Sequence, residues 1–254
     1  MSAQEEGGGE VGNGFGIDIG GTGIKGALVD LEQGVLAGER VRIPTPQPAT
    51  VPAVLDTVAA VVEQAGWSGP LGCTFPGIVR HGVVGSAANV DRSWIGTDLA
   101  AELSGRLGHP VTVLNDADAA GIAEMRFGAG RGVPGVVLIA TLGTGIGTAL
   151  FVDGLLVPNT EFGHLEIDGY DAEKRAASSV KTNEALSYQD WSARLQRYFS
   201  HVEMLLSPDL IIVGGGISKK SEKFLPRLDL QAPIVPAQLL NQSGIVGAAV
   251  SATG

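Results

Sequence analysis

Gly16-Ile17-Asp18-Ile19-Gly20-Gly21-Thr22-Gly23-Ile24-Lys25-Gly26 breaks an apolar run at a glycine-rich turn and resumes with small and apolar residues. That pattern predicts two antiparallel strands within residues 15–29, joined by a tight turn. One carboxylate, Asp18, is left beside the turn. Glycines there let backbone N–H groups approach an anion closely, because no Cβ intervenes. The carboxylate can hold a hydrated divalent cation next to that anion.

The same design returns about 120 residues later as Ile-Ala-Thr-Leu-Gly-Thr-Gly-Ile-Gly-Thr-Ala at 139–149. A third glycine turn, Gly214-Gly215-Gly216, follows an apolar strand at 210–213. Apolar spacing predicts helices at 51–65, 97–107, 117–127 and 188–206, with shorter ones near 219–225 and 244–252. Thr50 can cap the first of these and Pro52 suits its first turn. Further strands are expected at 35–43, 71–75, 111–114, 135–142 and 148–152. The polar stretch 168–189 reads as a loop with some helix. The repeated order implies two α/β domains facing each other across a cleft. We expect a disordered Gly/Glu-rich leader at 1–13, a small N-terminal domain at 14–115 and a larger one at 116–254. The C-terminal helix is able to pack back on the small domain.

Composition narrows the function. The 254 residues are 44% apolar, and the 38 glycines are spread along the chain rather than gathered in one tract. That favours a folded chain rich in tight turns. A formal charge of −10 argues against general nucleic-acid or membrane-surface binding, while leaving room for a polyanion in a local basic groove. The single cysteine, Cys73, rules out an internal disulfide and a cysteine-rich zinc site. No apolar stretch approaches the roughly 20 residues of a membrane helix, and residues 1–13 lack an export signal's basic and apolar regions. Cytoplasm is the expected compartment.

Each glycine turn alone reads best as a plain hairpin; three of them, each after an apolar strand, favour phosphate binding. They are not a P-loop, since no Gly-Lys-Ser/Thr follows. Nor are they a dinucleotide fingerprint, because the first turn returns as a strand. Asn115-Asp116 ends the 111–114 strand, where a carboxylate can take a proton from a substrate hydroxyl. Capping of the next helix by Asp116 is an equal alternative, and Asp118 reads as a helix-surface residue. Glu161, His164 and Glu166 concentrate sugar-type hydrogen-bonding groups within six residues. Solvation is the rival reading there, and metal binding is less favoured than either. Asn89 lies in a loop reading as surface with Trp94 as its anchor, or as a sugar contact.

Taken in order, these segments resemble the ROK family of sugar kinases, within the actin-like hexokinase superfamily. The resemblance runs from about residue 16 to 252. It rests on DIGGTGIKGALVD at 18–30, LNDADAAGIAE at 114–124, TLGTGIGTAL at 141–150, EFGH at 161–164 and IIVGGGIS at 211–218. It implies two ribonuclease H-like domains, Asp116 as catalytic base, and Asn89, Asn115, Asp116, Glu161, His164 and Glu166 around glucose, with Gly77 beside them. It implies phosphate contacts from Gly20, Gly21, Thr22, Lys25, Gly143, Thr144 and Gly145, and a nucleotide side at Gly214, Gly215 and Gly216. Asp18 would hold Mg²⁺ through water.

Members of the family typically carry a zinc-binding cysteine cluster after the Gly-His pair. Residues 168–183 contain no cysteine, so no zinc is expected and His164 is left to the sugar alone. That zinc-free form, with 74–84 and 186–220, is similar to a branch of the family that phosphorylates glucose, and in some members mannose, with inorganic polyphosphate and often ATP. Arg80, Arg92, Arg126, Arg131, Lys174, Arg175, Lys181, Lys219, Lys220 and Lys223 are the candidates for a basic donor track. Relatives suggest a homodimer. The competing readings are a strictly ATP-dependent glucokinase or glucomannokinase and a noncatalytic sugar-binding regulator. The regulator would need a DNA-binding helix-turn-helix ahead of residue 16.

Overall fold

The computed structural model describes residues 12–87 and 91–253. Two compact units result, residues 12–114 with 248–253, and Asn115–Gly247.

In the first unit, β1 (Asn13–Ile19) and β2 (Ile24–Asp30) form the expected hairpin, with Asp18 opposite Lys25. Asn13, placed by sequence in the leader, is the first residue of β1. The single strand expected at 35–43 is two short ones, β3 (Val35–Leu36) and β4 (Val41–Ile43). Both pair with β2, at its opposite ends, and the chain between them leaves the ladder. Then come α1 (Val51–Ala65), β5 (Leu71–Phe75), the hairpin β6 (Val79–Arg80) and β7 (Val83–Val84), α2 (Leu99–Leu107) and β8 (Val111–Asn115). The main sheet runs β3-β2-β1-β5-β8, with β5 parallel to β1.

The buried face of α1 is Val54, Leu55, Val58, Val61 and Val62, a helical repeat that packs into one core with Phe15, Ile17 and Phe75. Its cap differs from expectation, because the Thr50 side chain makes no capping hydrogen bond. Helix α2 starts two residues late because Asp98 caps it, accepting from the Ala101 amide at 3.0 Å. Trp94 is fully buried and donates Nε1–H to the Ala49 carbonyl at 2.9 Å.

The second unit repeats the plan with α3 (Asp116–Phe127), β9 (Val136–Leu142), β10 (Ile146–Val152) and β11 (Leu155–Val157). Next are the hairpin β12 (Glu166–Ile167) and β13 (Tyr170–Asp171), α4 (Glu173–Ala176), α5 (Ser178–Asn183), α6 (Tyr188–Leu206), β14 (Leu210–Gly214), β15 (Ile234–Pro236) and α7 (Ser243–Ser251), whose residues from Ala248 on belong to the first unit. Its sheet runs β11-β10-β9-β14-β15. The stretch expected as mostly loop, 168–189, therefore holds one strand and two short helices. Trp191, Leu195, Tyr198, Phe199 and Val202 form the buried face of α6, against β9 and β14 residues in one core.

Glu124, near the end of α3, is buried and accepts from the amides of Ala129 (3.0 Å) and Leu239 (2.7 Å). Among the described residues, no helix is long and apolar enough to cross a membrane.

Candidate active site

The first-unit candidates for phosphate and metal lie on the β1–β2 hairpin and its turn. Asp18 is half-buried; its Oδ2 accepts from Lys25 Nζ at 2.9 Å and its Oδ1 from Thr74 Oγ1 at 3.1 Å. Lys25, assigned by sequence to phosphate, thus also neutralises Asp18. Gly20 closes the turn through its amide to the Gly23 carbonyl (3.2 Å), and its own carbonyl accepts from the Thr45 hydroxyl. Gly21 and Thr22 are exposed at the tip. Gly77 follows β5 in the same unit, its amide on the Phe75 carbonyl at 2.9 Å. Asn89, and the side chain of Arg92, lie outside the described residues.

In the second unit the start of α3 resolves the capping question. Asn115 is the cap: its Oδ1 accepts from Ala117 (2.7 Å) and Asp118 (3.3 Å) amides. Asp116 is exposed in the first turn, with Oδ1 on the Ala117 amide at 2.9 Å. Negative charge is favoured at that helix end. Asp118 corrects the sequence reading. It is 2% exposed rather than on the surface, and burial, with Glu161 and Asp116 nearby, pushes its carboxyl up to about 6 despite a hydrogen bond from the Asn159 amide (2.9 Å).

That bond ties the 159–162 segment to α3. Thr148 on β10 ties it again, donating to the Thr160 carbonyl (2.6 Å) and accepting from the Phe162 amide (3.1 Å). Gly163 allows the close passage, since a Cβ there would lie 2.0 Å from the Ile146 carbonyl oxygen. Glu161 is held half-buried as a result, and that burial raises its pKa. Asp118 and Thr148 lie within the 114–124 and 141–150 motifs, where sequence assigned neither a role at the site. Their hydrogen bonds to the 159–162 segment are what mark them, and sequence offered no signal for those.

His164 is exposed and is not left to a sugar alone. Its Nδ1 lies 3.0 Å from Asp171 Oδ2, a contact that raises its pKa, with Glu173 4.0 Å away. One nitrogen and two carboxylates within 4.8 Å of one another could take a divalent ion. Glu166 is exposed on β12, opposite Asp171. Glu173 reaches further: its Oε2 accepts from the Ile146 amide at 3.2 Å, directly after Gly143-Thr144-Gly145. The sugar-type residues and the second glycine turn are therefore joined by one carboxylate. The third turn ends β14, where Gly215 has φ +83° and no room for a Cβ beside the Leu142 backbone.

A model of the ROK family matches residues 14–185. The chain belongs to the ROK family. A polyphosphate glucokinase of Mycobacterium tuberculosis is 55% identical to this ROK protein over 240 residues, covering 94% of this chain and 91% of its own. The crystal structure of an inorganic polyphosphate/ATP-glucomannokinase from Arthrobacter sp. strain KM superposes with a TM-score of 0.89 at 59% identity, over 95% of this chain and 98% of that one. A ROK glucokinase from Streptomyces griseus, in complex with glucose and AMPPNP, gives 0.82 at 26% identity, over 95% and 99%. The architecture is the α/β, actin-like fold of ROK sugar kinases.

Proposed function

We propose that this ROK protein transfers the terminal phosphoryl group of inorganic polyphosphate, and also of ATP, to the 6-hydroxyl of glucose, giving glucose 6-phosphate. Near-full-length similarity to polyphosphate-using relatives supports the donor and acceptor. The observation that carries the chemistry is the start of α3. Asn115 does the capping, and the exposed Asp116 carboxylate is fixed in the first turn.

In the reaction, Asp116 accepts the 6-hydroxyl proton while that oxygen attacks the terminal phosphorus in line. The bond to the bridging oxygen breaks, and its electron pair leaves with the shortened polyphosphate or ADP. Asn115, Glu161, His164 and Glu166, with Gly77 and Asn89, hold the sugar. With Nδ1 turned to Asp171, His164 has Nε2 to offer a hydroxyl. Gly20, Gly21, Thr22 and Lys25, and Gly143, Thr144 and Gly145, supply donors to the charge developing on the phosphoryl oxygens. Gly214, Gly215 and Gly216 serve the nucleotide when ATP is the donor.

Asp18 fits Mg²⁺ held through water. Each carboxylate oxygen accepts one protein hydrogen bond and keeps capacity for another, from metal-bound water. The ion would supply neutralisation of donor phosphate charge. Mannose as a second acceptor, action as a homodimer and a cytoplasmic location complete the proposal. A strictly ATP-dependent glucokinase is the second reading, supported by the AMPPNP complex of the Streptomyces griseus relative.

Initial rates with polyphosphate and with ATP, at matched terminal phosphate, decide between the two. For the base, we expect Asp116→Asn to lower kcat by about 10²–10⁴-fold, with glucose binding still measurable by calorimetry. Near-normal turnover in that variant removes Asp116 from the role.

A further inference from the structure

We infer that Lys181, Tyr188 and Lys223 form the stretch of the donor site that selects long polyphosphate over ATP; this rests on the proposed polyphosphate reaction.

Two glycine turns of the second unit lead to these residues by separate routes. Helix α5 is bonded to the Gly143–Gly145 turn, with the Ser179 amide on the Gly143 carbonyl (3.0 Å) and Ser179 Oγ on the Thr144 carbonyl (2.6 Å). Two residues further on, Lys181 Nζ stands 4.2 Å from the centroid of the Tyr188 ring. The Gly214–Gly216 turn opens a 3-10 stretch, Gly216–Lys223, kinked at Lys220. Its last residue places Nζ 5.6 Å from the same ring. The ring is itself fixed, edge-on to the buried Trp191 with centroids 6.4 Å apart.

A ring shared by two cations separates these lysines from the other basic candidates. Among those candidates Arg175 covers the Tyr170 ring at 4.3 Å and Arg126 the Phe127 ring at 5.3 Å, one cation to each ring among the described residues, while Arg194, which is not in that set, is paired with Glu184 at 2.7 Å. Arg197, outside the candidate set, is held by Asp168. Among the described residues neither Lys181 nor Lys223 makes an ion pair. Two ammonium groups without an ion-pair partner repel each other, and the aromatic ring they share offsets that only in part. An anion lying across both completes the arrangement. ATP carries no phosphate beyond its third and continues into ribose and base, whereas polyphosphate presents the same charged unit at every step. A pair of lysines leading away from a phosphate turn therefore rewards chain length.

The test compares KM for long-chain polyphosphate, tripolyphosphate and ATP in wild type, in Lys181→Met/Lys223→Met and in Lys181→Arg/Lys223→Arg. We expect the methionine pair to raise KM for long polyphosphate about tenfold more than KM for tripolyphosphate or ATP. It should also flatten the salt dependence of the former by roughly one to two in log–log slope. The arginine pair should restore most of both. An equal rise for all three donors would show that the lysines act only through the shape of the turn, overturning the inference. So would no rise for any donor. A wild type that uses ATP but not polyphosphate overturns the proposed donor and this inference together. Polyphosphate turnover with an unshifted methionine pair overturns this inference alone.

Discussion

Asp118 is the third residue of α3 and is buried, with Oδ2 on the Asn159 amide and Oδ1 without a partner among the described residues. A carboxylate there loses hydration and faces Glu161 and Asp116, so its neutral form is favoured and its pKa rises to about 6. The folded state thus holds the proton more tightly than the unfolded chain does. Its contribution to stability is full below about pH 4 and is lost as pH climbs through about 6. Asp118→Asn should be more stable than wild type at pH 7.5, by roughly 2–3 kcal/mol at most, and much closer to it at pH 4.5. Urea midpoints of both proteins at the two pH values check this, and a pH-independent difference would refute it. The residue looked like a surface position in sequence because helical periodicity sees only its own helix. The strand and the loop that bury it lie about 30 to 40 residues further along.

At the scale of elements, α6 shows what local pattern can and cannot carry. Its length and apolar face were legible, because 19 residues hold enough periodicity to fix the buried side. Helices α4 and α5, with four and six residues, were legible only as some helix within a loop, without bounds. Segments that short do not persist alone; they are held by bonds from elsewhere, Trp191 Nε1–H to the Ala176 carbonyl (2.9 Å) and Ser179 to the glycine turn. Trp191→Phe removes the first of these and leaves a buried carbonyl without its donor. We expect a loss of roughly 2 kcal/mol, seen as a lower urea midpoint at unchanged m-value. A loss below about 0.5 kcal/mol would mean that α4 does not depend on that bond. The same reasoning covers β3 and β4: the sequence shows an extended run, but only the register against β2 reveals the break.

Over the whole molecule, the internal repeat is the part that sequence carried best. Strands β1 and β9 bury the same positions, residue for residue, and β2 and β10 differ only at the last. A strand–turn–strand unit is set by neighbouring residues, so its copy is recognisable wherever it recurs. The candidate site was half legible for the same reason. Asn115, Asp116 and Glu161 stand in local motifs, while the Asp171 and Glu173 partners of His164 are brought back by the short β12–β13 hairpin, which carries no recognisable pattern.

Long-range ties also decide how the fold opens. Leu239 is 115 positions from Glu124 in sequence and sits outside any strand or α-helix, where amides ordinarily trade their hydrogens with solvent quickly. Its N–H is nonetheless locked on a buried carboxylate. In deuterium-exchange measurements Leu239 and Ala129 should behave as a slow pair, exchanging together rather than with the loops around them. Glu124→Gln should speed both at once, because one substitution loosens the same latch at its two ends. Independent rates in the variant would show that the two amides belong to separate opening events.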